Sequence, residues 1–445
     1  MMKPVITFSR YFGYLALAGL LAACTSGAPT ETMRKIDARS GDLQPLTAGK
    51  VNDVRAAVHA ALLLDPRVRE QASLTGASVD QIAVEQAALF PSLSFGVVGG
   101  LGAAGAGDPD LELSGEQLLV DFGGTKRAIE AADINLQIQY LMFQAAVDNS
   151  AADALISWRQ VGMLEELVAV KRAQFTAMSD LHGLIAERQD IGAASAPDLL
   201  ETRNRMERAE FELLDARLEL SEARDKLQRL TGTSQGGTIP DFSQNCTPPG
   251  GETDMLQIAQ LELIKARLNL ESAARARYPS ISLNPLGRVS LTGGNVSSGL
   301  NINLGAPLFQ GGAIRAKENA ARNRRASAEA MVEAEERNIR LDELRLQRQI
   351  SSLGEKQAML TRQIETMRQT RDLYRSQYIE LGSRQITDLL DVEETLYGRQ
   401  VELVEAKFNL QERLVECAAR SKAIRNDLGL TQFQLYGYPL TVDGF

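Results

Sequence analysis

Residues 278–312 read YPSISLNPLGRVSLTGGNVSSGLNINLGAPLFQGG, and the spacing of their apolar residues sets the fold class. Ile281 and Leu283 alternate with Ser280, Ser282 and Asn284, and Leu300, Ile302, Leu304 and Leu308 alternate with Asn301, Asn303 and Gly305. A period of two predicts strands with one apolar and one polar face, turned at Gly293-Gly294-Asn295. Beyond Gly312 the period becomes seven: Val332, Ile339, Leu346, Leu353, Leu360, Met367, Tyr374 and Leu381. This run holds no proline, and Gly354 is its only interior glycine. Leu389, Leu396, Leu403, Leu410, Cys417 and Ile424 continue the spacing on a return leg. A heptad pattern of this persistence predicts helices packed along one seam, and roughly seventy residues at ~1.5 Å each make a rod of about 100 Å.

The same pattern occurs once more upstream. Phe90-Pro91-Ser92 precedes Tyr278-Pro279-Ser280 by 188 residues, and Phe122-Gly123-Gly124 precedes Phe309-Gln310-Gly311-Gly312 with one residue inserted. Gly192 with Asp198-Leu199-Leu200 precedes Gly382 with Asp388-Leu389-Leu390 by 190. In the first copy Leu93, Phe95 and Val97 alternate with Ser92, Ser94 and Gly96, and Leu111 and Leu113 with Glu112 and Ser114. Glycines at Gly99–Gly107 mark the turn, and Val147, Ala154, Val161, Val168 and Phe175 carry a weaker heptad. The expected organisation is a mainly α chain with β hairpins. A first copy spans 51–231 (hairpin about 91–121, helical tip near Gly192) and a linker spans 232–252. A second copy spans 253–430 (hairpin about 279–308, tip near Gly382), followed by a tail, 431–445.

Residues 1–23 have the form of a signal peptide, with Lys3 and Arg10 ahead of an apolar run too short to span a bilayer. Leu21-Ala22-Ala23-Cys24 resembles a bacterial lipobox, which would make Cys24 the lipidated first residue. Thr25 in the next position, by resemblance to lipoprotein sorting rules, implies the outer membrane. Residues 24–50 read as a polar tether.

The 445 residues include 48 Lys and Arg against 57 Asp and Glu, a net charge of −9 that excludes nucleic acid as a partner. Two histidines and three cysteines, unclustered, exclude most zinc, haem and iron–sulfur chemistry. Aromatics make up 5%, with Trp158 the single tryptophan, a composition of long helices. With no nucleophile–base pair, metal cluster or phosphate loop, no catalytic residue, metal site or cofactor is expected, and the chain does not read as an enzyme. Gly100-Leu101-Gly102-Ala103-Ala104-Gly105 matches the dinucleotide fingerprint by letter, but a strand follows it, so it reads as a hairpin tip. Asn295-Val296-Ser297 reads as a turn.

Four amphipathic strands of about a dozen residues suit an outer-membrane barrel wall but cannot close alone, because every strand edge in lipid must be paired. Two chains would give eight strands, a barrel filled by its own side chains; three give twelve and a lumen lined by the polar faces. The alternative is a lipid-anchored periplasmic coiled-coil scaffold or tether without a pore. It explains the rods and the lipid but not strands placed alike in both copies.

Phe90-Pro91-Ser92, Phe309-Gln310-Gly311-Gly312, and Gly382 followed by Asp388-Leu389-Leu390-Asp391, set in a two-copy layout, resemble the TolC family of outer membrane efflux proteins. The resemblance covers roughly Val51 to Leu430. It implies a homotrimer with a twelve-stranded transmembrane β-barrel, a long periplasmic α-helical barrel and an equatorial belt. It further implies docking to a periplasmic adaptor and an inner-membrane RND or ABC pump, in efflux of small toxic compounds or in type I secretion of unfolded proteins. Asp388 and Asp391, one helical turn apart, match the acids of the pore constriction. Asp198 and Arg384 match residues that link neighbouring helix pairs in the closed state, although position 379 is Ile where a gating tyrosine is expected, beside Tyr378. Gly192, Ala193, Ala194 and Ser195, with Gly382 and Ser383, form the tips where an adaptor would dock. His182 reads as seam or turn, and His59 lies in a short helix. Cys417 reads as a buried thiol at a heptad core position, with a disulfide to Cys246 the other possibility in an oxidising periplasm.

Overall fold

The computed structural model describes residues 27–99, 101–102, 105–106, 109–247, 252–291, 296–307 and 309–441. Cys24 and the signal segment lie outside the described residues, as do Gly293, Gly294 and Asn295. In chain order the elements are α1 (Glu31–Ser40), β1 (Gln44–Pro45), α2 (Val54–Leu64), α3 (Pro66–Ala87), β2 (Ser92–Val98), β3 (Leu101–Gly102), β4 (Gly105–Ala106) and β5 (Asp110–Val120). There follow α4 (Gly124–Asp190), α5 (Ala196–Thr231), α6 (Asp254–Arg275), β6 (Ser280–Ser290), β7 (Val296–Gly305), α7 (Ala313–Ile379) and α8 (Ile386–Arg420). The chain ends with α9 (Ala423–Asp427), a 3-10 turn (Leu430–Gln432), β8 (Phe433–Leu435) and β9 (Tyr438–Pro439).

The two hairpins form one antiparallel sheet in the order β2-β5-β6-β7, joined across the repeat by β5 and β6. Register places Phe95 beside Leu113 and Ser94 beside Ser114, while Leu283 pairs with Ile302 and Ile281 with Leu304. One face is therefore mainly apolar, and Phe95 (71% exposed) and Ile302 (72%) have nothing over them. The opposite face is polar: Ser94 Oγ lies 2.8 Å from Ser114 Oγ, and Arg288 Nε is 2.9 Å from a Glu112 carboxylate oxygen. The paired stubs β3 and β4 prolong the first hairpin, while Gly100, Ala103 and Ala104 of the fingerprint stretch lie outside the described residues. Val296 and Ser297 open β7 rather than forming a turn.

Below the sheet the helices keep the order of the strands. α3 packs on α4, α4 on α6 and α6 on α7, matching β2, β5, β6 and β7; farther down, α5 packs on α4, α4 on α8 and α8 on α7. The protomer is thus a wall four elements wide from end to end. The two longest helices are 67 residues each, α4 and α7 alike, about 100 Å at ~1.5 Å per residue. Along the heptads Val147, Ala154, Val161, Leu346, Leu360, Leu389, Leu396 and Cys417 are buried. Leu353 is half-buried, and Leu381 lies beyond the end of α7 and is exposed, so the seam stops one heptad earlier than its spacing indicates.

Large exposed apolar side chains gather on the outer helices: Phe211, Leu214 and Leu218 on α5, and Met331, Leu341, Leu344, Met359 and Leu373 on α7. The inner α4 exposes Met142 alone among the described residues, and α8 exposes none.

The described parts of the segments expected as a tether and a tail, residues 27–50 and 431–441, are folded in. α1 buries Ile36, β1 pairs in parallel with β8, and β8 pairs with β9. Leu46, Leu435 and Leu440 join the main core around Phe143, Leu155 and Trp158. The linker crosses the helices as a strap. Trp158 Nε1 donates to the Thr238 carbonyl (3.2 Å), and Gly236 lies so close that a Cβ there would be 2.4 Å from Val161 Cβ. A disulfide joins Cys246 to Cys417, so the cysteine at the heptad position is not a free thiol; the strap brings its partner to that seam.

A buried ionic cluster sits in the same belt. Arg425 Nε is 2.9 Å from Asp148 Oδ1, at an angle too oblique for a hydrogen bond, and Lys422 Nζ is 2.6 Å from Asp254. Burial pushes the Asp148 carboxyl from its usual 3.8 up to about 7, against the attraction of Arg425. The folded chain holds this proton to higher pH than the unfolded chain, so the group's stabilising contribution is full below about pH 3.8 and is lost as pH rises through about 7.

Two outcomes are expected. Leu346→Ala, which empties a fully buried seam position, should lower unfolding stability by about 2–5 kcal/mol in denaturant titration; an effect below about 0.5 kcal/mol would mean the seam is misplaced. The stability of the wild type minus that of Asp148→Asn should fall between about pH 4.5 and about pH 7.5, and a difference that rises would reverse the assignment.

Candidate functional site at the helical tips

At the end away from the sheet, α4 turns into α5 through Gly192 (φ 77°) and α7 into α8 through Gly382 (φ 59°), left-handed conformations that favour glycine. Ser195 caps α5 through a reciprocal pair. Its Oγ accepts from the Asp198 amide (3.3 Å), while the Asp198 carboxylate accepts from the Ser195 amide (3.1 Å) and hydroxyl (2.7 Å). Gly192, Ala193, Ser195, Gly382 and Ser383 are exposed and Ala194 half-buried. Ile191 and Leu381, equivalent by the 190-residue offset, stand 79% and 70% exposed beside them.

Behind the tips one apolar cluster binds the two helical hairpins together: Met178, Leu181 and Ile185 of α4 pack with Ile386, Leu389 and Leu390 of α8 and with Tyr378. His182 Nδ1 lies 3.1 Å from Thr202 Oγ1, between α4 and α5, within the seam. Arg188 completes the joint. Its guanidinium donates to the carbonyls of Tyr378 (3.3 Å) and Ile379 (3.1 Å) and lies 5.0 Å from the Tyr378 ring centroid. A cation is favoured there, because the last carbonyls of α7 carry the negative end of its dipole. Positions 188 and 378 are themselves equivalent under the repeat, so the contact lies where the two copies face each other.

Asp388 and Asp391 are both in the first turns of α8 and both engaged. Arg384 reaches Asp388 at 3.4 Å, bonds Gln377 Oε1 at 3.1 Å and stacks 4.1 Å from the centre of the Tyr374 ring. Arg205, on α5, reaches Asp391 at 3.1 Å and Glu201 at 2.8 Å, and also binds Glu394. The guanidinium thus forks across three carboxylates and ties α5 to α8. Asp198 and Arg384 line one cavity of about 490 Å³ with Arg188 and Tyr378, but within the chain they do not pair. Asp198 is held by its own helix cap and Arg384 by Asp388 one turn away, so no Asp198–Arg384 bridge exists inside the protomer.

Arg188 and the role of Tyr378, named only as the neighbour of position 379, were not singled out in the sequence, nor were Arg205 and Glu394. The offset of 190 could have found the first two; the fork of Arg205 depends on the contact of α5 with α8, which no local pattern encodes. Glu393 is a further buried carboxylate, 3% exposed, raised in pKa by burial against the pull of Arg371. Among the described residues no group of three or more His, Cys, Asp or Glu side chains could hold a metal ion, and no helix is long and apolar enough to cross a membrane.

Comparison with known proteins adds the family. No curated protein matches the sequence. Several solved structures share the fold. The Campylobacter jejuni CmeC outer membrane channel aligns with a TM-score of 0.71 and 13% identity over 88% of this chain and 88% of its own. The outer membrane protein VceC of Vibrio cholerae gives 0.69 and 17% over 84% and 96%. The open state of the Neisseria gonorrhoeae MtrE outer membrane channel gives 0.68 and 17% over 88% and 90%. The family described as "Outer membrane efflux protein" matches residues 57–233 and 252–419, one span for each copy of the repeat. The chain belongs to the outer membrane efflux protein family.

Proposed function

We propose that three copies of this chain close into the exit duct of a tripartite efflux or type I secretion system. The duct conducts substrate passively from the periplasm to the exterior when docked to a periplasmic adaptor and an inner-membrane RND or ABC pump. The observation that carries this is the four-element wall with both edges unpartnered. β2 and β7 end the sheet, and α5 and α7, the helices that end the wall below, bear the exposed apolar rows. An edge strand with an apolar face cannot stand alone in lipid, and three walls of four strands give a barrel wide enough for a lumen. A pore-free tether would leave this apolar face exposed to water. Lipidation of Cys24 supplies a second membrane attachment beside the barrel.

The tips are the adaptor-docking surface in this reading, and the acids Asp388 and Asp391 ring the periplasmic mouth. The Arg384 and Arg205 contacts hold them partly neutralised in the resting protomer. Separation of α5 from α8 on opening would uncover the Asp391 and Glu394 carboxylates and draw cations. Asp198 and Arg384, facing one cavity, are placed to re-pair when the tips move or meet a neighbouring chain. The open state described for the MtrE channel supports a mouth that changes width.

The detergent-extracted Cys24→Ala protein should have the mass of a trimer by native mass spectrometry and remain dependent on detergent; a detergent-free monomer or dimer would leave only the tether. In planar bilayers Asp388→Asn with Asp391→Asn should weaken block by multivalent cations severalfold, and Arg205→Gln should strengthen it. Block unchanged in both would remove these residues from the pore.

A further inference from the structure

Each strand end nearest the helices carries an exposed aromatic: Phe90 before β2, Phe122 after β5, Tyr278 before β6 and Phe309 after β7, the last 88% exposed. Aromatic rings favour the headgroup level of a bilayer, so these four mark the periplasmic border of the membrane. At that level, between the end of α6 and the first turns of α7, lies an open cleft of about 620 Å³. It is lined by Phe309, Arg277, Arg315, Arg322 and one acid, Glu318. Glu318 is already engaged on both oxygens, 2.7 Å from Arg277 and 2.7 Å from Arg322. Arg315 has no ion-pair partner among the described residues, so the cleft keeps an excess of two positive charges.

The first copy of the repeat serves as an internal control. At its equivalent junction Arg127 is paired with Glu271 (3.0 Å), and the Asp121 carboxylate accepts from the Gly123 amide (2.9 Å) and the Thr125 hydroxyl (2.7 Å). In the second copy the residue before the aromatic is Leu308 instead of an acid, and the chain brings three arginines to the cleft with a single carboxylate among them.

We propose that this cleft seats the phosphate headgroup of an anionic phospholipid from the periplasmic leaflet of the outer membrane. Arg315 and Arg277 are its cationic partners, and Phe309 packs at the base of the acyl chains. A guanidinium fork matches phosphate oxygens, and a basic pocket at the membrane border gains further from the leaflet's negative potential. The inference rests on reading the four strands as barrel wall.

The test is native mass spectrometry of the full-length protein released from nanodiscs of mixed phosphatidylglycerol and phosphatidylcholine. The wild type should retain phosphatidylglycerol preferentially, and Arg277→Gln with Arg315→Gln should cut that retention about tenfold. Arg277→Lys with Arg315→Lys should recover most of it. Arg340→Gln, about 27 Å farther down α7 than Arg322, should leave it unchanged. Equal retention in the wild type and the glutamine pair, or no preference over phosphatidylcholine, overturns the proposal. Displacement of the lipid by millimolar inorganic phosphate would assign the cleft to a free anion and also overturn it. Conductance measured on the same samples separates the two levels. A conducting protein without lipid preference loses only this site, whereas one that neither inserts nor conducts removes the barrel beneath it.

Discussion

A β-sheet edge placed in hydrocarbon has donors and acceptors that no solvent can satisfy. In this protein that constraint falls on β2 and β7, the two ends of a sheet of four strands. Everything below the sheet repeats the arrangement in helices, so the edges run the full length of the wall as α3 and α5 on one side and α7 on the other. The apolar surface is distributed to match: α4 and α8, inside the wall, keep their large apolar side chains covered, while α5 and α7 leave theirs outside. The protomer is stable through its internal seams and incomplete at its borders.

The belt around the middle resists that incompleteness. The strap from Thr231 onward crosses the helices, is held against Trp158 and Val161, and is fixed by the disulfide between Cys246 and Cys417. Segments 389 residues apart meet in the small sheet of β1, β8 and β9, and Tyr140 and Gln144 both donate to the Pro439 carbonyl, at 2.8 and 2.7 Å. The helical tips have a lighter joint, one apolar cluster with Arg188 and the Arg205 fork. Motion is easier where fewer buried contacts must be broken, so the belt is held more firmly than the tips.

The strands and rods were legible in the sequence because a period of two or seven is local, and the repeat was legible because its landmarks keep their spacing. The tip glycines were legible for the same reason. What the sequence withheld depends on pairings between distant segments. Nothing near residue 44 announces a parallel partner at residue 433, and a polar composition made 24–50 read as tether although Ile36 and Leu46 are buried. The bond from Cys417 to Cys246, 171 residues away, could be named only as the second possibility beside a buried thiol. At the tips, the one-turn spacing of Asp388 and Asp391 was legible, but the arginines that contact them were not. Within the protomer Arg384 pairs with Asp388, a residue of the same turn, and Arg205 reaches Asp391 only because α5 stands beside α8.

The two copies of the repeat differ in detail while keeping the same outline, with long helices of equal length and tips displaced by a constant 190 residues. Three chains in a ring would therefore display six tips of two alternating kinds, one built on Gly192 and the next on Gly382. Such a rim has true threefold symmetry and approximate sixfold symmetry. A partner that recognises only what the two tips share, a glycine turn flanked by Ile191 or Leu381, would assemble in six copies on three. A partner that distinguishes Ser195 from Gln385 would assemble in three.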